Sequence, residues 1–350
     1  MEKGKWVRCL MICVFLVAGM LALTVSPNHT AIAAEKVWKI KVQAYTVPSE
    51  MDIQWAAPLK FTQLVEKHTK GRVKMSLHPS GEMVGPREIW TSVSSGTIDA
   101  GCTLDIYEGG THPEFTFGVA SLWTVDEFYK TMHAGALDIL NRQSLSENIR
   151  MIGYFPMMNM YAMCMKTKHA KTLEDLKGKK IRGMGGAANV FLKEVGAGIV
   201  TMPMSEVPSA LQTGVVEGVH TGMGGIFAMS LWDTSPYLTV THHGSFNFFV
   251  IIREDLYKTL PNDVKADILS AQQEFEGWIA GWINNFWKIV KEDVTKRGLI
   301  WYDLAPQEIS RWRNLLNDVS VQWVMARNPG VGKELFTVVE KATGRKVMKK

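Results

Sequence analysis

Along this 350-residue chain, segments in which apolar residues alternate with polar ones are followed by segments with apolar residues at helical spacing. Residues 38–44 alternate between apolar and polar side chains, a pattern that predicts a β-strand. Residues 54–69 carry apolar side chains at helical spacing, and Gly71 follows, as is typical just beyond a helix. The series continues with a strand at 73–77, a short helix at 87–95 and a strand at 98–102. This succession predicts a parallel sheet covered by helices.

The same rhythm begins again after residue 158. The pattern predicts strands at 161–165, 180–182 and 219–220, a helical turn at 172–175, and helices at 187–196 and 206–213. A second α/β region therefore occupies roughly 159–246. A mature chain of about 315 residues exceeds what one core comfortably holds, which also favours two lobes.

One long amphipathic segment follows the second region. Between Asp263 and Gly298 the apolar residues fall mostly three or four positions apart, as on one face of a helix. Two interpretations stay open, namely two helices with a kink near Gly277 or Gly281, or one continuous helix. At 1.5 Å per residue, about 35 residues would extend about 50 Å, enough to cross two lobes.

The N-terminal segment has the three parts of a secretory signal peptide. Three cationic residues precede a 15-residue apolar run, Cys9–Leu23, and a short polar stretch then ends in Ala33-Ala34. A membrane anchor needs about 20 apolar residues, so this run is short for that alternative. We predict that residues 1–34 are a signal peptide, cleaved after Ala33 or Ala34, and that the mature protein is periplasmic.

Composition and charge exclude some functional classes. Removal of residues 1–33 takes away three cationic side chains and one acidic one, which lowers the formal net charge from +5 to +3. We therefore predict no nucleic-acid binding, although the charge suits an anionic ligand. Cys102 and Cys164, the cysteines beyond the leader, have no metal-binding spacing. His242 and His243 are adjacent and would face opposite ways on a strand, so we predict no metal site.

Four segments carry a family resemblance. They read KTLEDLKGKKIR at 171–182, SSGTIDA at 94–100, MPMSEVPSALQTGVVEG at 202–218 and LP at 260–261. In these segments the chain resembles the solute-binding subunits of tripartite ATP-independent periplasmic (TRAP) transporters, of the DctP type. The resemblance implies a receptor and not an enzyme, without cofactors and monomeric. Such a receptor captures a small organic acid and delivers it to the integral membrane subunits of a TRAP transporter.

The fold that the resemblance implies is a two-lobed α/β fold, like that of periplasmic binding proteins, with a long helix spanning both lobes. On this basis we predict that lobe I consists of 35–158 and 247–280, and that lobe II consists of 159–246 and 281–350, with the spanning helix at 263–297. Two crossing strands and this helix would form a hinge that lets the lobes close around a carboxylate.

Arg182 matches the position of the family's carboxylate-binding arginine. A guanidinium pairs with both oxygens of a carboxylate in one plane, which a lysine cannot do. Arg182 ends a predicted strand just before the glycine-rich stretch 183–186, where a loop would open towards a cleft. Many family members have a second arginine on the preceding strand, near Ala162 and Met163 here, and this chain has none there. We therefore predict that the ligand is a monoanion with an apolar or aromatic body.

Thr221 stands where family members often carry an asparagine, and it offers one hydroxyl in place of an amide. The other predicted ligand contacts are Tyr45, Tyr107, Asn159, Tyr161 and Trp232. For the last four of these residues, a place in the core is the alternative, whereas Tyr45 is predicted to belong to the wall that the first lobe presents to Arg182.

Two other functions are compatible with parts of the sequence. The stretch GMGGAA at 183–188 follows a strand and fits the G-x-G-x-x-A pattern of dinucleotide-dependent enzymes, with Glu206 about 20 residues on. The strand before it is short, charged and not the first in the chain, which argues against such an enzyme. A receptor of an ATP-driven (ABC) importer would share the two lobes but need not have the long helix, so helix continuity separates the two receptor types.

Overall fold

The segments with strand-like apolar patterns form two separate β-sheets. The computed structural model describes residues 36–46, 48, 52–158 and 160–349. The predicted signal peptide and Asn159 therefore lie outside the described residues. In chain order the described strands are β1 (Trp38–Gln43), β2 (Val73–His78), β3 (Ala100–Leu104), β4 (Ile149–Met157), β5 (Tyr161–Met165), β6 (Lys180–Arg182), β7 (Gly198–Val200), β8 (Gly218–Gly222), β9 (Tyr237–Val240), β10 (Phe246–Arg253) and β11 (Ile300–Asp303).

The first sheet has five strands in the order β2-β1-β3-β10-β4. β1 runs parallel to β2 and β3, whereas β10 is antiparallel to β3 and β4. β4 and β10 are almost wholly apolar and buried along nearly their whole length, as expected for strands covered on both faces. Phe155 on β4 and Phe248 on β10 stack with their ring centroids 4.8 Å apart.

The second sheet has six strands in the order β11-β9-β5-β8-β6-β7. β5 is antiparallel to β8 and β9, and β6 runs parallel to β7 and β8. The chain passes from the first sheet to the second between Met157 and Tyr161, and returns between Val240 and Phe246. Both passages are short. The assignment of the chain to two lobes that move as units stays a prediction.

Helices cover the faces of both sheets. In chain order the described α-helices are α1 (Ile53–His68), α2 (Ile89–Ser94), α3 (Asp105–Glu108), α4 (Gly118–Ser121), α5 (Val125–Thr131), α6 (Leu137–Ser144), α7 (Gly186–Glu194), α8 (Val207–Gln212), α9 (Met223–Ala228), α10 (Glu254–Lys258), α11 (Asn262–Lys296), α12 (Pro306–Arg327) and α13 (Pro329–Thr343). No helix of the described part of the chain is both long and apolar enough to cross a membrane.

The long amphipathic segment forms one unbroken helix, α11, of 35 residues. Gly277 and Gly281 lie inside it, and a Cβ atom at either position would meet nothing within 4 Å, so both face open space. The ring of Phe275 packs edge-on against Phe61 of α1 and Phe155 of β4, at centroid distances of 5.8 and 5.6 Å. The helix therefore begins on the first sheet, and its far end leads into β11 of the second.

A glutamine of α11 also completes the edge of the first sheet. β4 is the last strand of that sheet, so the peptide groups on its outer side have no neighbouring strand. The side chain of Gln272 donates to the carbonyl of Tyr154 at 3.0 Å and accepts from its N–H at 3.3 Å. Gln272 is 2% exposed, so this pair of bonds satisfies buried backbone groups that would otherwise be unpaired.

The C-terminal helix lies against helices of the first sheet, and the assignment of 281–350 to lobe II stays a prediction. Helix α13 packs against α5 and α6, which belong to the segment assigned to lobe I. The physical reason is an anchor beyond the helix, where Arg345 forms an ion pair with Glu127 and lies 3.9 Å from the ring centroid of Trp123. Arg345 also donates to the carbonyl of Ser121 at 2.8 Å. These contacts hold the chain end against the first sheet's helices.

Candidate functional site

A cavity of about 260 Å³ lies where strand ends of the two sheets meet. The carboxyl ends of β1 and β3 in the first sheet and of β6 and β8 in the second point into it. Crevices at the carboxyl ends of strands are the usual ligand sites of open α/β sheets. Its lining residues are Tyr45, Thr46, Asp52, Gln54, Arg87, Leu104, Ile106, Tyr107, Arg182, Met184, Met204, Thr221, Gly222, Gly224, Gly225, Met229, Phe246 and Phe248.

Arg182 is the cation of the wall formed by the second sheet. It is the last residue of β6 and is half-buried. Its Nε and Nη2 atoms donate to the carbonyl of Met202 at 3.4 and 3.3 Å, which orients the guanidinium. Burial lowers the pKa of Arg182, with Tyr107 opposing and Arg87 adding to the change. Among the described residues no carboxylate pairs with Arg182, so its remaining N–H donors are free for a ligand.

A second cation in the cavity was missed by the sequence analysis. Arg87 is exposed, precedes α2 and lines the cavity from the side of the first sheet. Its guanidinium carbon lies 5.5 Å from the ring centroid of Tyr107. No motif marks this arginine in the sequence, because its position opposite Arg182 depends on how the two sheets pack. The sequence has no arginine near Ala162, where many family members have one. The second cation of this cavity is Arg87, which comes from a different segment.

Tyr45 and Tyr107 form an aromatic corner of the cavity. Their rings meet edge-on with centroids 6.0 Å apart, and Tyr45 also stacks on Phe248 at 5.6 Å. The Tyr45 hydroxyl is buried and has no hydrogen-bond partner among the described residues. Burial raises the pKa of both tyrosines. Both residues were predicted ligand contacts, and both line the cavity.

Asp52 and Gln54 bring polar groups that the sequence analysis also missed. Asp52 is the N-cap of α1, and its carboxylate accepts the backbone N–H of Gln54 at 3.0 Å and the Thr46 hydroxyl at 3.4 Å. Burial raises the pKa of Asp52, and these two hydrogen bonds oppose the rise. The only sequence signal was an acidic residue directly before a helical pattern, which a helix cap explains equally well.

Thr221 and two glycines form the rest of the second wall. A Cβ atom at Gly225 would lie 2.6 Å from the Thr221 hydroxyl oxygen, and one at Gly224 would overlap the Gln54 amide. The glycines let the start of α9 approach both the threonine and α1 closely. Thr221 lines the cavity, and its contact with a ligand stays a prediction.

Two predicted contacts lie away from the cavity. Tyr161 is 1% exposed and packs against the rings of His220 and Phe246, at centroid distances of 5.2 and 4.8 Å. Trp232 lies beside the guanidinium of Arg297, 5.1 Å from the ring centroid. Neither is among the residues that line the cavity, so Tyr161 is a core residue and Trp232 a cation–π partner. Asn159 lies outside the described residues.

Two buried histidines lie beneath the part of the cavity lining that comes from the second sheet. The rings of His220 and His243 stack with centroids 5.1 Å apart. Neither nitrogen of His220 has a partner within the described part of the chain, whereas His243 Nδ1 lies 2.6 Å from the Thr241 hydroxyl. Burial lowers the pKa of His220 to about 3, with Arg182 adding to the effect. Nowhere in the described ranges do three or more His, Cys, Asp or Glu residues cluster as metal ligands.

Comparisons with known proteins agree with this architecture. The sequence profile of bacterial extracellular solute-binding proteins, family 7, matches residues 44–325. A solute-binding protein of Albidiferax ferrireducens is 25% identical over 326 residues, which cover 91% of this chain and 95% of that protein. The C4-dicarboxylate-binding periplasmic protein DctP of Rhodobacter capsulatus is 24% identical over 329 residues, 93% of this chain and 96% of that one.

A solved structure shows the same fold. The TRAP periplasmic solute-binding protein of Desulfovibrio salexigens with bound orotic acid superimposes with a TM-score of 0.76 at 21% identity, covering 89% of this chain and 100% of that one. The predicted two-lobed α/β fold class is therefore confirmed. The family and both relatives are solute-binding proteins, which favours a receptor over the enzyme alternative. This chain belongs to family 7 of the bacterial extracellular solute-binding proteins.

Proposed function

We propose that this protein binds a small organic acid in the cavity at Arg182, outside the cytoplasmic membrane, and delivers it to the membrane subunits of a TRAP transporter. The observation that carries the proposal is the state of Arg182. Its guanidinium is half-buried, is oriented by the Met202 carbonyl and has no carboxylate partner among the described residues. A desolvated guanidinium without a counter-ion is a ready partner for a planar carboxylate.

Charge and size narrow the ligand to a small monoanion. The cavity holds two cations, Arg87 and Arg182, and one carboxylate, Asp52, which leaves one net positive charge. Its volume of about 260 Å³ is below the ~300–1,000 Å³ typical of sites for drug-sized ligands. Apolar side chains cover much of the wall: Met184, Met204, Met229, Phe246 and Phe248. These features support a monoanion with an apolar or aromatic body.

The ligand would bridge the two sheets. Arg182 and Thr221 come from the second sheet, and Tyr45, Tyr107 and Arg87 come from the first. A ligand that touches both walls stabilises the closed form only by its difference in affinity for the closed and open forms. We expect small-angle scattering to show a smaller radius of gyration with saturating ligand than without it. An unchanged radius, with binding verified in the same sample, would mean that the lobes do not close on the ligand.

The proposed function also requires export of the protein across the cytoplasmic membrane. Residues 1–34 would be removed as a signal peptide, which leaves a periplasmic protein that acts as a monomer. N-terminal sequencing of protein recovered from the periplasm should begin at Ala34 or Glu35. Light scattering of that material should give the mass of one chain.

The acid itself can be identified directly. Native mass spectrometry of the purified mature protein should show a small co-purifying acid. A thermal-shift panel of organic acids should then show stabilisation, since a ligand at 100 times its dissociation constant adds ~2.7 kcal/mol. If no organic acid bound to or stabilised the protein, the proposed function would be wrong.

A further inference from the structure

The cavity has a polar end that a simple carboxylate would leave unused. Asp52 lines it with no cationic side chain as partner among the described residues. Its oxygens accept one backbone N–H at 3.0 Å and one hydroxyl at 3.4 Å. A carboxylate has about four acceptor sites, so capacity remains for a further donor.

The Tyr45 hydroxyl adds a second unused group. Tyr45 is 6% exposed, lines the cavity and has no hydrogen-bond partner for its hydroxyl within the described residues. A buried hydroxyl without a partner is costly and calls for a physical reason. A ligand group in the cavity would supply the missing bond.

The charged groups act on different parts of the cavity. Burial raises the pKa of both tyrosines, but Asp52 adds to the rise at Tyr45, whereas Arg87 and Arg182 oppose it at Tyr107. The Thr46 hydroxyl, next in the chain to Tyr45, contacts the Asp52 carboxylate. Asp52 is therefore connected through Thr46 to the segment of Tyr45, and Arg87 lies over the Tyr107 ring, with its guanidinium carbon 5.5 Å from the ring centroid.

From this arrangement we infer that the ligand carries a hydrogen-bond donor, an N–H or O–H group, away from its carboxylate, and that Asp52 and the Tyr45 hydroxyl accept it. The inference rests on the proposed function, because it assumes a carboxylate at Arg182. Asp52 would then favour acids with an amine, amide or hydroxyl group. It would disfavour a second carboxylate at the same place, since like charges would meet in a partly desolvated site.

Helix capping alone does not account for a charged residue at this position. Asparagine caps helices about as well as aspartate, so capping of α1 does not require the negative charge. Asp52→Asn therefore keeps the cap acceptor, removes the charge that faces the cavity and replaces one acceptor oxygen with an NH2 donor. The variant should fold normally, and its effect on ligands can be measured separately from its effect on α1.

Four ring and chain acids test the inference by calorimetry on the mature protein. Cyclopentanecarboxylate has a carboxylate and no second polar group. Pyroglutamate adds a neutral lactam with one N–H and one C=O, proline adds a protonated ring amine without the C=O, and glutarate adds a second carboxylate. We expect wild type to bind pyroglutamate or proline about tenfold or more tightly than cyclopentanecarboxylate, as a hydrogen bond to a charged group would give. The two nitrogen-bearing acids distinguish a neutral donor from a cationic one.

Asp52→Asn should reduce this preference and improve the relative binding of glutarate. Asp126→Asn is the matched control, because it removes one exposed carboxylate, paired with Lys130, far along the chain on α5. It should leave the ranking unchanged. If Asp52→Asn shifted all four acids by the same factor, or if cyclopentanecarboxylate bound wild type as tightly as pyroglutamate and proline, the inference would be wrong while the proposed function stood. If none of the four acids bound, the inference would be contradicted, and the thermal-shift panel of organic acids would decide the proposed function separately.

Discussion

The two walls of the cavity differ in how their polar groups are held. The wall from the second sheet has one guanidinium, Arg182, oriented by a backbone carbonyl and backed by the buried His220. The wall from the first sheet has several polar groups with spare hydrogen-bonding capacity. They are the Tyr45 hydroxyl, which has no partner in the described part of the chain, the Asp52 carboxylate and the exposed Arg87. Removing one partner of a buried, hydrogen-bonded charge pair costs ~2–5 kcal/mol of affinity, whereas groups with free hydrogen-bonding capacity can distinguish between ligands. We therefore expect affinity to depend mainly on the second wall and selectivity mainly on the first.

The largest effect should come from Arg182. Replacement by Ala or Lys should cost ~2–5 kcal/mol of ligand affinity, because the carboxylate then loses its bidentate partner in a desolvated site. The free energy of unfolding should change little, since the side chain lies at the cavity. Calorimetry and denaturant unfolding measure both quantities. Arg142→Ala, which breaks an exposed ion pair with Glu334, is the control. Near-native affinity in Arg182→Ala would rule out the anchoring role.

The buried histidines should make the free energy of unfolding depend on pH below 6. Burial lowers the pKa of His220 to about 3 and also lowers that of His243, so the unfolded chain takes up these protons at higher pH than the native protein. The contribution of the neutral histidines to the free energy of unfolding is therefore complete above the ordinary histidine pKa, and it falls as the pH drops from 6 towards 4. In this pH range the free energy of unfolding of His220→Phe should fall by about 1.4 kcal/mol less per pH unit than that of wild type.

Unfolding with denaturant at several pH values checks this slope. Phe191→Leu is the matched control, because its ring packs against both histidines, 6.0 Å from His220 and 4.9 Å from His243, without titrating. It should lower stability at every pH and keep the wild-type slope. A His220→Phe slope equal to wild type would contradict the prediction.

Tyr45→Phe should separate binding from stability on the first wall. Loss of a buried hydroxyl without a partner should raise the free energy of unfolding by about 1 kcal/mol, and loss of its bond to the ligand should weaken binding by about the same amount. Tyr129 offers a control, because its hydroxyl is also buried and unpartnered among the described residues but lies outside the cavity. Tyr129→Phe should stabilise the protein and leave affinity unchanged. Unchanged affinity in Tyr45→Phe would mean that its hydroxyl does not contact the ligand.

Arg87→Ala should have the smallest effect. Arg87 is exposed, so its attraction to the ligand is screened, and we expect a loss of at most about 1 kcal/mol that shrinks as salt is added. Calorimetry at low and high ionic strength measures both. A loss as large as that of Arg182→Ala, and insensitive to salt, would show that the two walls share the anchoring role equally.

Local patterns were enough to locate most of the elements near the site. Strands at 161–165 and 180–182 have the predicted bounds, and α11 differs from its predicted range by one residue at each end. Arg182 was predicted because it matches the family's carboxylate-binding arginine, and the local pattern added only its place at a strand end. In such cases the information lies within a few neighbouring residues, where period and stop signals act.

Other features depend on packing that no local pattern shows. β5 is apolar and buried at all five positions, so its sequence does not show which of its side chains would face a ligand, and Tyr161 lies in the core. Arg87 and Asp52 belong to segments distant from Arg182 in sequence, and only the packing of the two sheets brings them to the cavity. Asp52 also has a sufficient local explanation as a helix cap, which hid its place in the wall.

The bonds between Gln272 and Tyr154 have a consequence for the protein in solution. An outer strand with free peptide groups is a template on which another extended chain can add, and this leads to aggregation. At Tyr154 the helix side chain already occupies both peptide groups, so a foreign strand would first have to displace it. The opposite outer strand, β2, carries the exposed Lys74, a residue type that discourages such pairing. Both margins of the first sheet are thus protected against strand addition by different means.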